Sequence, residues 1–149
     1  MFLVTFMFKV TKKANCIAFE ISSDTRLVER LIMESQEFLR EPDIEYSSRY
    51  KTVLRETLGN AIEHGNKNII EKKVACSVKL LGNKGDKRVK IEVMDEGQGF
   101  DYKNLDMNFP ENPKHFRNIG FPLIHACSDE IEFNESGSRI TVTCMRWAN

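Results

Sequence analysis

Two strand-like runs, "VACSVKLL" at 74–81 and "RVKIEVMD" at 88–95, flank the short polar stretch "GNKGDK". No other feature of the chain constrains its fold as much. A period of two places Val89, Ile91 and Val93 on one face of a strand. A Gly- and Asn-containing link of a few residues joins such strands as a hairpin. The centre of the chain is therefore expected to be an antiparallel pair with one buried face.

The surrounding sequence extends that layer and supplies a second. "CIAFEI" at 16–21 alternates and reads as a strand. "EIEFNESGSRITVTCM" at 130–145 reads as a closing hairpin around Ser136-Gly137, with Ile140, Val142 and Cys144 inward. Between these, "SSD" at 22–24 offers a helix cap, and Leu27, Val28, Leu31, Ile32 and Leu39 keep a helical period until Pro42. A second helix is predicted from about Ser47 to His64, with a core stripe of Tyr50, Val53, Leu54, Thr57, Leu58 and Ala61. Gly65 and Asn66 follow, and both residue types tolerate a left-handed cap. "IGFPLIHAC" starts a third helix. Strands that come in runs, not in strict alternation with helices, predict an α+β fold: a two-layer sandwich with a mixed, mostly antiparallel sheet and helices packed on one face. No linker or internal repeat divides residues 1–149, so one domain is expected.

The N-terminal "MFLVTFMFKV" is apolar but far too short to span a bilayer, and no basic stretch precedes it. Phe2, Val4, Phe6, Phe8 and Val10 alternate with their neighbours, which predicts an extra edge strand or a dimer contact. No targeting segment is visible, and a cytoplasmic protein is expected. Lys and Arg number 22, as do Asp and Glu, so charge makes no case for nucleic acid or an anionic membrane as partner. Cys16, Cys76, Cys127 and Cys144 form no Cys-x-x-Cys pair. Cys76 and Cys144 fall on apolar strand faces and Cys127 on the third helix, where small buried hydrophobes in a reducing compartment are the expectation.

Chemistry enters with "RETLGNAIEHGN" at 55–66. Four-residue spacing puts Glu56, Asn60 and His64 along one side of the second helix, at the border of its apolar stripe. The plain alternative is a solvated Glu, a helix-ending Asn and a capping His. "VMDEGQGFD" at 93–101 closes a strand with Asp95 and then places Gly97 and Gly99 at alternate positions, where a backbone can approach a ligand closely. "RNIGFPLI" at 117–124 opens a helix whose free N–H groups suit an anion, with Lys114, His115 and Arg117 upstream. Residues 100–118 have no period, two prolines and four asparagines, and read as a lid. "GNKGDKR" lacks the Gly-Lys-Ser/Thr ending of a Walker loop, and there is no His-Glu-x-x-His.

In this order and spacing the three stretches resemble the boxes of the Bergerat-fold (GHKL) ATPases, the superfamily of gyrase, MutL, the Hsp chaperone ATPases and sensor histidine kinases. Glu56-x-x-x-Asn60-Ala61-x-x-His64 resembles the N box, Asp95-x-Gly97-x-Gly99 the first glycine box, and Asn118-Ile-Gly120-Phe the second, with Asn118 where the family usually has glycine. "NAIEHGN", "DEGQGFD" and "GFPLIHACSDEIEF…SGSRITVT" further resemble the small anti-sigma-factor serine/threonine kinases of bacteria, over about residues 16–146. The resemblance implies ATP and Mg²⁺ as cofactors. It implies Glu56 as general base, Asn60 as the Mg²⁺ ligand and Asp95 as acceptor for the adenine amino group. Gly97 and Gly99 would give room to the ring and the lid, and His64, Lys114, Arg117 and Gly120 would lie by the phosphates. It also implies an antagonist protein as phosphorylation target, a sigma factor as a further partner, and a homodimer. Two other readings stay open: a nucleotide-binding partner-switch protein without kinase activity, and a histidine-kinase-like catalytic domain lacking its phosphoacceptor helix.

Overall fold

A computed structural model describes residues 6–39, 48–82, 87–99 and 120–145. Six strands form one sheet: β1 (Phe8–Lys13), β2 (Cys16–Ser22), β3 (Lys73–Leu81), β4 (Arg88–Met94), β5 (Glu130–Phe133) and β6 (Arg139–Met145). Their spatial order is β1-β2-β3-β4-β6-β5. All five pairings are antiparallel, so the sheet is simpler than the mixed one expected. Three α-helices lie among the described residues: α1 (Val28–Phe38), α2 (Ser48–Asn60) and α3 (Gly120–Ala126). Among the described residues no helix is long and apolar enough to cross a membrane.

Register shows why the alternating runs matter. Ile17 stands opposite Val78, Val78 opposite Ile91, and Ile91 opposite Val142. Phe19, Cys76, Val93 and Ile140 form the next row. Each row is buried, so one residue of slip in any strand would turn an entire row to solvent. The helices lie over this face. α1 contributes Val28, Leu31 and Ile32, and α2 contributes Tyr50, Val53, Leu54 and Leu58. The expected stripe of α2 is buried in full, Thr57 and Ala61 included. Thr57 is tolerated there because its hydroxyl donates to Val53 O at 2.7 Å. Between α1 and α2 the Tyr50 hydroxyl donates to Ser35 Oγ, and Ser35 Oγ donates to Ile32 O at 2.8 Å.

Asp24 starts the first helical segment, its carboxylate accepting the Arg26 backbone N–H before a 3₁₀ turn at Thr25–Leu27. Among the described residues the N-terminal strand runs from Phe8, with Phe6 and Met7 of the predicted run outside it, and it pairs with β2 at the sheet edge. Residues 1–5 lie outside the described residues. Phe8 meets Phe19 edge-on, with ring centroids 5.9 Å apart, and the Arg30 guanidinium covers it at 4.0 Å. The buried Cys76 and Cys144 thiols are pushed up to about 12 by desolvation. Cys127 falls one residue beyond α3 instead of within it, and is free like the other three.

Candidate functional site

α2 delivers Glu56 and Asn60 one turn apart, both half-buried at the margin of its core stripe. Burial raises the Glu56 carboxyl above its ordinary value; Arg55 opposes that shift and Glu63 adds to it. Asn60 Nδ2 is buried and has no hydrogen-bond partner among the described residues. The expected row breaks at His64. After Asn60 the helix widens into a π turn over Ala61–Gly65, closed by Asn66 N–H donating to Ala61 O at 2.8 Å. The wider i→i+5 turn takes His64 off the four-residue spacing that aligns Glu56 with Asn60, and it lies exposed.

The end of that turn meets the end of β4. Ala75 pairs with Met94, and Asp95 is the next residue, continuing the inward parity of Ile91 and Val93. Its backbone N–H donates to Ser138 O at 3.0 Å, and its Oδ1 accepts the Gly97 N–H at 2.8 Å. Desolvation raises the Asp95 carboxyl, opposed by the Gly97 N–H and by Lys72. A Cβ on Gly65 would run into the Asp95 carboxylate. A Cβ on Gly97 would collide with the Gly65 carbonyl and lie 2.9 Å from Asp95 Oδ1. Gly99 has φ +85° and faces the Ser136 carbonyl, with no room for a side chain. Gly65 and Gly97 therefore let the end of the π turn and the loop after β4 close around the Asp95 carboxylate, while Gly99 lets that loop pass against the β5–β6 turn.

Gly65 and Asn66 are where sequence reasoning fell short. Neither adopts the left-handed conformation expected of a helix cap: Asn66 has φ −92°, and positive φ falls later, at Lys67 and Asn68. Gly65 is required by the approach of Asp95, and Asn66 is fully buried. An asparagine directly after "HG" was the available signal, but its partners lie on distant segments. Gly120 is the first residue of α3, which packs against α2. Lys114, His115, Arg117, Asn118 and the expected lid lie outside the described residues. His125, on α3, is exposed. Among the described residues no three His, Cys, Asp or Glu side chains gather closely enough to hold a metal ion.

Chemically, the site offers a half-buried acceptor at the sheet end, a carboxyl of raised affinity for protons on α2, and between them in sequence a carboxamide whose Nδ2 has no partner among the described residues. Residues 21–147 match the family model described as a histidine kinase-like ATPase domain. A search of the curated proteins finds no match.

Proposed function

The chain belongs to the histidine kinase-like ATPase domain family, within the GHKL superfamily, and from that premise we propose that it is an ATP-dependent protein serine/threonine kinase of the anti-sigma-factor type. In this reading it phosphorylates a small antagonist protein in a partner-switching module and has a sigma factor as its other partner. Family membership carries the coarser statement, ATP binding. One observation carries the finer one: Glu56, a carboxyl pushed up by burial, stands one turn from Asn60 on the helix whose end closes against Asp95.

Asp95 accepts a hydrogen bond from the adenine amino group; guanine presents a carbonyl at that ring position and is disfavoured. Glu56 takes the proton of the attacking serine or threonine hydroxyl. That oxygen bonds to the γ-phosphorus as the bridging β–γ oxygen leaves with ADP. A carboxyl of raised pKa is a stronger base once ionised, which suits this task. Magnesium, when bound, supplies neutralisation of phosphate charge. Asn60 would hold it: the side chain is half-buried with its Nδ2 unpartnered among the described residues, and its neutral carboxamide oxygen would be the ligand. An ion held chiefly by phosphates and water needs little more from the protein. Lys114, Arg117 and Gly120 serve the phosphates, with His64 at the outer end of the helix.

Incubation with labelled ATP, Mg²⁺ and candidate antagonist proteins from the same genome tests the proposal. Phosphoserine or phosphothreonine is the expected product. Glu56→Gln should lower its yield about a hundred- to ten-thousandfold while leaving ATP affinity nearly unchanged. Tight ATP-dependent partner binding without any transfer would replace the kinase with a passive partner-switch protein, the reading favoured by Asn118 in place of the usual glycine.

A further inference from the structure

Asn66 is fully buried, and its side chain reaches three separate segments. Nδ2 donates to Ser23 Oγ at 2.8 Å, between β2 and α1, and to Lys73 O at 3.0 Å, where β3 starts. Oδ1 accepts the Glu96 backbone N–H at 2.8 Å, in the loop after β4. The network is closed by its neighbours. Ser23 Oγ donates to Lys72 O at 2.6 Å, and Glu96 Oε2 accepts the Lys73 N–H at 3.0 Å. A buried amide satisfied on both ends resists displacement, because moving it strands several buried partners at once.

Its position in the chain gives this network a consequence for the site. Asn66 directly follows Gly65, and Glu96 directly follows Asp95. The Asn66–Glu96 bond therefore ties together the two backbones whose close approach at Gly65 and Gly97 confines the Asp95 carboxylate. We infer that Asn66 is a positioning residue: its carboxamide sets where the Asp95 carboxylate stands, and through it the preference of the site for adenine over guanine. The inference rests on Asp95 as the adenine acceptor. Asn66 itself touches no base; it acts through Glu96 and Asp95.

The test has two arms. Amide hydrogen exchange on the ligand-free wild type reads the bond directly, since a bonded, partly buried N–H exchanges slowly. Glu96 should be protected; exchange there at the rate of an open loop would overturn the inference without any variant. The second arm measures ATP and GTP affinity for wild type, Asn66→Ala, Asn66→Ser and the remote core truncation Ile32→Val, each below its own melting point. Outer partners that orient metal ligands are worth about ten- to a hundredfold in affinity, and an oriented carboxylate acceptor is expected at the low end of that range. Asn66→Ala should therefore lose about tenfold in ATP affinity, with a smaller change for GTP, so that selectivity collapses. Asn66→Ser, which keeps a small hydroxyl, should fall between. Ile32→Val loses stability alone and should keep the wild-type ratio. An unchanged ATP-to-GTP ratio in the Asn66 variants would show that Asn66 only stabilises the fold. A wild type that binds no adenine nucleotide would instead sink the reading of Asp95, while the exchange arm still reports on the Asn66–Glu96 bond.

Discussion

Burial makes an ionised Asp95 unfavourable to the ligand-free fold. Its folded pKa is raised above the ordinary value of 3.8, chiefly by desolvation. Below the ordinary value both folded and unfolded chains hold the proton, and no penalty exists. As pH rises from there through the raised folded value, the unfolded chain releases its proton first, so this group's contribution to stability falls across that window. Asp95→Asn keeps an oxygen for the Gly97 N–H and removes the charge. It should melt higher than wild type at pH 7 without ligand, lose that advantage in acid, and bind adenine nucleotides poorly. Melting curves at pH 7 and pH 4 with an ATP titration check all three, and a variant that melts lower at pH 7 would show that desolvation is not the dominant effect. Gly65 and Gly97 separate in the same way. A Cβ at Gly65 meets the end of a rotatable side chain, so Gly65→Ala should fold nearly as well as wild type but displace the carboxylate and lose ATP binding. A Cβ at Gly97 meets the Gly65 carbonyl, which cannot rotate aside, so Gly97→Ala should cost about 1–3 kcal/mol of stability. Equal denaturation midpoints for the two variants would contradict that distinction.

At the scale of elements, the parts legible in the sequence are those fixed by local pattern. Val89, Ile91 and Val93 could be assigned one face because a strand alternates whatever it packs against. The stripe from Tyr50 to Ala61 was legible for the same reason, and it is buried as expected. Glu56, Asn60 and Asp95 stood out because polar residues sat at positions the apolar pattern did not need. What escaped was set by distant partners. The π turn over Ala61–Gly65 has no periodicity signal of its own, since its residues would fit an α-helix equally well. The bonds of Asn66 run to residues 43 and 30 positions away, at Ser23 and Glu96. A π turn amounts to one extra residue in a helix. Deleting the exposed Glu63 should therefore restore an α-helical turn while moving Gly65 and Asn66 out of register with Asp95 and Glu96. Circular dichroism should stay close to wild type, and ATP affinity should fall at least about tenfold. Retained affinity in the deletion would mean that the π turn does not place the site.

Across the whole molecule, the site lies where elements remote in sequence end together: the π turn after α2, the loop leaving β4 and the β5–β6 turn. The sheet's cross-strand rows supply a rigid base, and at its end Asp95 is held from two remote segments, by Ser138 O on its backbone N–H and by Gly65 against its carboxylate. A ligand that binds only the folded state raises stability by RT ln(1 + [L]/Kd), about 2.7 kcal/mol at a hundredfold excess over Kd. In a chain of 149 residues that corresponds to a rise of about 5–10 °C in melting temperature. Mg-ATP and Mg-ADP should both produce such a rise, because the adenine contact at Asp95 is common to them. Mg-GTP should produce less, since its ring offers a carbonyl where Asp95 needs a donor. The gain should also be uneven within the protein. Amide exchange should slow most at residues 95–99 and around the π turn, and least in β1 and β2, whose pairing owes nothing to the site. A melting curve unmoved by millimolar Mg-ATP would exclude this end of the sandwich as a nucleotide site. A shift whose added protection centred on β1 would place the ligand elsewhere on the fold and leave the half-buried Asp95 carboxylate without a function.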